Sequence, residues 1–444
     1  MQISKILRNI FIGSFLFLVL LEMGTRILLG LDFLGIKERI DGRMFREQQE
    51  EGVLGDNTTG AFWIDRDILH PYLGYVHNPA WNGVPDPGLD IGDYEYYEYN
   101  KYGFIGDSPV EKKSDEKVII GITGGSVAEL LYIYSKDVLV EELKKYPEYS
   151  NKEIKLVMIG MGGWKQPQQL LTLTYLLSLG AEFDIVVNID GFNEVALTYA
   201  DNWKYNITPS FPRLWNLYSQ KNLENKELAK EFATIAEIKD KKMAQKEKIA
   251  KNTLNLSAFA RLLWAYVDTH YDQKVAKALK AIQEESVHSE VLSESTEYMP
   301  RMTNEEGLFK EAVDIWKRSS VEMNKISEAN DIQYFHFLQP NQYLIGSKEL
   351  TLNEKKYAFF DSPESIGKKV TNSAIPDYKY AVEQAYPALI DEGKIIREYG
   401  VSFIDLTQIF NGVKEKIYQD QCCHYNIKGN EIIAKEIARQ IVGY

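Results

Sequence analysis

Ser126 stands in the stretch VIIGITGGSVAELL, Val118 to Leu131, where a short apolar strand runs into a glycine pair and then into the start of a helix. Three chemistries use a strand, a glycine turn and a helix: phosphate cradling, dinucleotide binding and the presentation of a nucleophile. A phosphate loop of the Walker kind needs a lysine that reaches the terminal phosphates, and no lysine follows Gly125. A dinucleotide site needs a third glycine in the helix and an acidic residue closing the second strand, which here ends in VMIGMGG. Both phosphate readings fail on the residues they most require. A serine just past the first strand, by contrast, projects from the carboxyl edge of a parallel sheet, where ligands bind. GGSVA fits the loose form of an α/β-hydrolase elbow, but there the elbow follows several strands and here it follows the first. Taken alone, Ser126 is equally well read as a helix cap.

A nucleophilic serine needs a base, and YQDQCCHYNIKGNEIIAKEIARQIV supplies one in His424, in a loop before the final amphipathic helix, with Asp420 close behind. With this block in place the chain resembles the SGNH (GDSL-like) hydrolase superfamily, in its membrane-anchored bacterial form. The four signature residues have counterparts in order: Ser126 in GGSVAE, Gly160 in VMIGMGGWKQPQQ, Asn193 in DGFNEV and His424 in DQCCHYNIKGN. The resemblance runs from about Asn100 to the C-terminus, with NKYGFIGD as the lead-in. It implies a three-layer α/β/α sandwich, flavodoxin-like, on a roughly five-stranded parallel sheet. It also implies that His424 takes the proton of Ser126, and that the oxyanion is met by the N–H of Ser126, the N–H of Gly160 and the side-chain amide of Asn193. One departure from the pattern concerns the acid. The family places it three residues before the histidine, where this chain has Gln421, and the aspartate is Asp420, four before. Asp420 is the expected partner of His424, and Asp405 in FIDLTQIF is the substitute.

These residues must be held by a sheet, and the sequence writes one. Apolar runs at KVIIGIT, IKLVMIG, FDIVVNID, IQYFHFL and VSFIDL alternate with helical periodicity, the pattern of parallel strands covered on both faces. The SGNH-like domain is expected over 116–444, with a charged helical insertion over about 202–306. Residues 35–115 read as an aromatic collar of loops and short strands. Its tyrosines between Tyr94 and Tyr102 suit packing better than sugar stacking. The LQP element at Leu338 to Pro340 is either a proline turn or a substrate contact.

The chain has 444 residues and a formal charge of −13, with no basic stripe, so nucleic acid is not an expected partner. Cys422 and Cys423 are the only cysteines. Adjacent cysteines rarely meet disulfide geometry with each other, and no second pair at ligand spacing completes a metal site. They read as buried small apolar residues, and no cofactor or metal is expected.

At the N-terminus, residues 1–34 read as an uncleaved membrane anchor, an apolar run that reaches the ~20 residues a bilayer needs when extended through Leu31. Glu22 and Arg26, four apart, could pair and ease its entry into the headgroup region. Charge counting leaves the orientation open, and the resemblance to anchored relatives puts the domain outside the cytoplasm, periplasmic or at the cell surface. The expected function is a serine esterase or O-acyltransferase acting on acyl esters, O-acetyl above all, of an acylated small molecule or envelope carbohydrate. The alternative is a catalytically silent SGNH-like module that binds glycan or a membrane partner.

Overall fold

The computed structural model describes residues 19–27, 67–80, 98–203, 207–215, 257–288, 304–358 and 375–443, with scattered positions between 230 and 245. They fall into two compact units. The larger is built on the sheet. A hairpin of β1 (Asp67–His70) and β2 (Gly74–His77) precedes it, from the collar segment. There follow β3 (Lys117–Gly124), α1 (Ser126–Leu143), β4 (Glu153–Met158), α2 (Gln168–Ser178) and β5 (Ile185–Asp190). A π-helical segment, Asn193–Asn202, leads away from β5. After it come α3 (Ala258–His288), α4 (Glu305–Glu328), β6 (Gln333–Leu338), α5 (Ile375–Ile396), β7 (Ser402–Asp405) and α6 (Ile427–Val442).

The five strands β3 to β7 are the five apolar runs of the sequence, and they pair in the order β4-β3-β5-β6-β7, every neighbour parallel. Their residues are β-branched or large and buried on both faces: Ile119, Ile120, Ile122, Val157, Val186, Val187 and Ile189 are all inaccessible. Helices α1 and α6 pack on each other, while α4 packs on both α2 and α5. The sheet is thus flanked by helices, as a parallel sheet must be. The chain winds outward from β3 in both directions, so the crossovers at the carboxyl ends of β3 and β5 leave toward opposite faces and open a crevice there. Ser126 and Asn193 follow those two strands directly.

The smaller unit contains the helix of residues 19–27 and most of α3. Glu22 does pair with Arg26, at 2.7 Å. The same carboxylate also accepts the backbone N–H groups of Ala258 and Phe259 and the hydroxyl of Ser257, which caps the start of α3. The acidic residue that interrupts the apolar N-terminal run thus has a partner in the insertion, which the sequence did not suggest. Among the described residues no helix is long and apolar enough to cross a membrane. The rest of the expected anchor, much of the collar and most of the charged middle of the insertion lie outside the described residues.

The turn out of β3 is tight. Gly124 has φ +143°, and a Cβ there would run into the carbonyl oxygen of Ile189 on β5. Gly346 also has positive φ, +82°, but nothing lies within 4 Å of the place a Cβ would take. Gly124→Ala is therefore expected to cost more than about 3 kcal/mol, strain plus collision, and Gly346→Ala only about 1 kcal/mol. Urea unfolding of the two variants measures the difference directly.

Candidate active site

Ser126 is the first residue of α1, not its cap. The N-cap is Gly125, in extended conformation and without a side chain to offer, so the capping reading of the serine does not hold. With no role in closing the helix, the Ser126 hydroxyl is free to face elsewhere. It lies 2.7 Å from Nε2 of His424, and Nδ1 of the same ring is hydrogen-bonded to Oδ2 of Asp420. The serine and histidine are 298 positions apart in the chain. They meet because α1 and α6 pack on each other, and His424 lies three residues before the start of α6.

The one-residue offset of the acid is absorbed by the loop. Asp420 Oδ1 accepts the backbone N–H groups of Cys422, Cys423 and His424, at 2.9, 3.1 and 3.3 Å, so the chain wraps around the carboxylate and returns the imidazole to it. Burial raises the Asp420 pKa, but the His424 charge and these hydrogen bonds outweigh it and hold the carboxyl below its usual value. Asp405, the substitute, is exposed at the end of β7 and accepts the N–H of Thr407 at 2.8 Å. It is not the partner of His424.

Segments from the end of β6 pin the histidine loop by its carbonyls. Asn341 donates to the Cys422 carbonyl at 3.2 Å, Gln342 to that of Asp420 at 2.9 Å, and the Tyr343 hydroxyl to that of Gln421. Tyr425 in turn donates to the Pro340 carbonyl at 2.6 Å. The residues just after the LQP stretch thus brace the histidine loop, and Pro340 accepts from it.

Asn193 is buried and begins the π-helical segment. Its Nδ2 donates to the Trp164 carbonyl at 2.7 Å and lies where a side chain on Gly125 would have to go. The amide is therefore held beside the serine turn, and among the described residues only one of its N–H groups is committed. Glu194 ties the neighbouring loops together, accepting the N–H groups of Gly191 at 2.8 Å and Gln166 at 3.0 Å. Burial, with the Asp190 charge added, pushes the Glu194 carboxyl up to about 8.

Gly160 continues β4 alongside the serine turn. A Cβ on it would lie 2.5 Å from the Gly124 carbonyl oxygen, which explains the glycine as a backbone-on-backbone approach. The Met161 N–H donates to that same carbonyl at 3.2 Å and the Gly162 N–H donates to Glu129 at 2.8 Å. Among the described residues nothing accepts from the N–H of Gly160 or of Gly163, so both are spare donors of this loop.

Cys422, Cys423 and His424 place one ligand atom each within 4.8 Å of one another, the only such metal-capable group among the described residues. Their chemistry suits a metal poorly. Both ring nitrogens of His424 are already bonded, and burial raises the pKa of both thiols, which keeps them protonated.

A second Ser-His-Asp chain lies elsewhere in the sheet. Ser320 Oγ is 2.7 Å from His336 Nδ1, and His336 Nε2 is 2.8 Å from Asp190, which also accepts from the Trp316 indole at 2.7 Å. The His336 and Asp190 side chains are 0% and 1% exposed, whereas those of His424 and Asp420 are 24% and 13% exposed. Only the second pair has an approach from solvent. Sequence reasoning missed this buried set, the histidine brace and the Glu129 bond. The last had a weak signal, an acidic residue one helical turn after the serine.

With a fluorophosphonate probe, Ser320→Ala is expected to label like the parent protein. Asp420→Asn should lose several orders of magnitude in esterase kcat with the fold kept, as wrong-tautomer variants of serine enzymes do, while Asp405→Asn and Gln421→Ala stay mild. Rates with p-nitrophenyl acetate separate these cases, and a severe Asp405→Asn would reverse the assignment. In comparisons with known proteins, no protein-family model and no curated protein matches this chain.

Proposed function

We propose that the chain is an SGNH-like serine esterase or O-acyltransferase that works through an acyl-enzyme on Ser126. The observation that carries this reading is the hydrogen-bonded chain Ser126, His424, Asp420, partly open to solvent at the carboxyl edge of a parallel sheet. The strand order, which in terms of the five-stranded sheet alone is 2-1-3-4-5, is that of the flavodoxin-like folds and accords with it.

The chemistry follows from the groups present. As the Ser126 oxygen attacks the ester carbonyl, its proton passes to Nε2 of His424, and Asp420 stabilises the imidazolium from the other side. The negative charge that develops on the carbonyl oxygen is met by the Ser126 N–H, which has no partner in the first turn of α1, by the second N–H of the Asn193 amide, and by Gly160, with Gly163 as a second donor of the same loop. Collapse of the tetrahedral intermediate returns the His424 proton to the leaving alcohol and leaves the acyl group on Ser126. His424 then takes a proton from water or from a sugar hydroxyl, which attacks in its turn and frees the serine. No step calls for a metal or an organic cofactor.

The substrate class, acyl esters and O-acetyl esters above all on envelope carbohydrate, and the location outside the cytoplasm on an N-terminal membrane anchor are what the resemblance to anchored relatives supports. The silent-module alternative drew on the offset of Asp420, and the bond between Asp420 and His424 removes that support.

Two variants test the proposal in the full-length protein. Ser126→Ala should abolish fluorophosphonate labelling and p-nitrophenyl acetate turnover with thermal stability nearly unchanged, and full activity in it would end the reading. Asn193→Ala should lower kcat on the order of 100-fold to 1000-fold while KM moves little. A change confined to KM would make Asn193 a binding residue instead.

A further inference from the structure

Glu129 lies one helical turn after Ser126 on α1 and is buried. Its two carboxylate oxygens are used in opposite directions. Oε2 accepts the N–H of Gly162 at 2.8 Å, and Oε1 lies 2.8 Å from Nε2 of His77. On the far side of that ring, Nδ1 lies 2.9 Å from Oδ1 of Asp67, and the Tyr99 ring stacks on the imidazole with centroids 4.3 Å apart. Asp67 and His77 are both buried and belong to the β1–β2 hairpin, across which they are directly paired.

The proton count of this group is constrained. Each ring nitrogen of His77 faces a carboxylate oxygen at hydrogen-bond distance, and a neutral imidazole has only one N–H to give. The other nitrogen would then set its lone pair against those of a carboxylate. Both contacts are satisfied when the group holds two bridging protons, either as an imidazolium between two carboxylates or as a neutral ring with one carboxyl protonated. In each case the three side chains together carry one negative charge. A buried group so arranged is rigid, because releasing any member leaves an unpaired charge in the interior.

Its free end grips the loop that carries the spare donors Gly160 and Gly163. We infer that Glu129, held by His77 and Asp67, is a positioning residue that fixes the 160–163 loop relative to the helix bearing Ser126. The collar hairpin thereby belongs to the catalytic apparatus. The inference rests on the esterase reading for its functional meaning. Glu129 touches no reacting atom. Its carboxylate instead sets the distance between the nucleophile and the donors that await the oxyanion, one bond from α1 to the loop. Within 160–163 the other bonds among the described residues are that of Met161 to Gly124 and the turn from Met161 to Trp164, while the flanks are held by Asn193 on the Trp164 carbonyl, the Trp164 indole on the Tyr75 carbonyl and Thr123 on the Ile159 carbonyl.

The test uses the full-length protein in detergent, with p-nitrophenyl acetate kinetics and hydrogen exchange of a peptide covering 159–164. Glu129→Leu keeps much of the volume but offers neither an acceptor to the Gly162 N–H nor a partner to His77. It should lower kcat by about ten-fold to a hundred-fold, less than the loss of a direct donor, with KM within about two-fold and with faster exchange in the 159–164 peptide. His77→Gln leaves the carboxylate in place and should move both readouts in the same sense by less. If Glu129→Leu does not fold, His77→Gln decides on the same two readouts. Unchanged kcat and unchanged exchange in a folded variant overturn the inference, and so does an effect on KM alone. An inactive parent protein, or an active Ser126→Ala, would instead overturn the esterase reading, and the exchange arm would still decide whether Glu129 holds the loop.

Discussion

The architecture of the site depends on the absence of side chains at one crossing of backbones. The ends of β3, β4 and β5 converge so closely that a Cβ on Gly124 would strike the Ile189 carbonyl, one on Gly125 the Asn193 amide, and one on Gly160 the Gly124 carbonyl. Three glycines from two strand ends are thus spent on letting three chain segments share one volume. The result is a helix that starts immediately after the strand, with Ser126 as its first residue and the unpaired N–H groups of its first turn directed at the sheet edge. A side chain at any of the three positions would push Ser126, the 160–163 loop and Asn193 apart. The arrangement of every other group in the site assumes that this crossing is intact.

A hydrogen-bonded Ser-His-Asp chain does not by itself mark an active site, as the Ser320, His336 and Asp190 set makes plain. There the serine meets Nδ1 and the aspartate Nε2, the reverse of the order at Ser126, and the whole set is buried beneath α4. Burial raises the Asp190 pKa, but the His336 charge and the hydrogen bonds of His336, Trp316 and Asn188 more than offset it, so the carboxylate stays ionised. Such a paired group is costly to break and of little net worth to make. Its physical effect is to lock β5, β6 and α4 in register. The glycine crossing and the access from solvent distinguish the Ser126 set, and both are geometric facts that a motif search cannot weigh.

The sheet was legible in the sequence because parallel strands buried on both faces leave near-continuous apolar runs, and KVIIGIT, FDIVVNID and IQYFHFL cannot easily be anything else. The serine turn was legible only together with the blocks at Gly160, Asn193 and His424, since GGS after such a run reads equally well as a helix cap. The acid was only half legible. A spacing rule places a side chain along an assumed loop path, and the extra residue here is taken up by a turn around Asp420 that spacing alone does not reveal. The Glu129, His77 and Asp67 group could not be read at all. Its members are 52 and 10 positions apart, and nothing local distinguishes a histidine that will lie between two carboxylates from one that caps a loop. For the same reason the pairing of Glu22 with the start of α3, 236 positions away, was invisible in a segment whose apolar run pointed first to a membrane.

The polar bonds around the site have one thing in common: each ties a side chain to the backbone of a loop at the sheet edge. Glu129 reaches the 160–163 loop, Asn193 the Trp164 carbonyl, Glu194 the turn after β5 and the segment before α2, and Asn341, Gln342 and Tyr343 the histidine loop. Ordering a loop residue costs roughly 1–2 kcal/mol of backbone entropy, and one hydrogen bond returns about 0.5–1.5 kcal/mol net, so these bonds do little more than offset the ordering they require. Their contribution is therefore positional. A serine, an imidazole and an amide that arrive from separate strand ends inherit the rigidity of the sheet only up to the last strand residue, and beyond it their relative placement is set by the polar side chains that join loop to loop. A site assembled this way can tolerate drift in the apolar core, where volume can be redistributed, far better than the loss of one buried acceptor, which leaves a donor unpaired and a loop free to move.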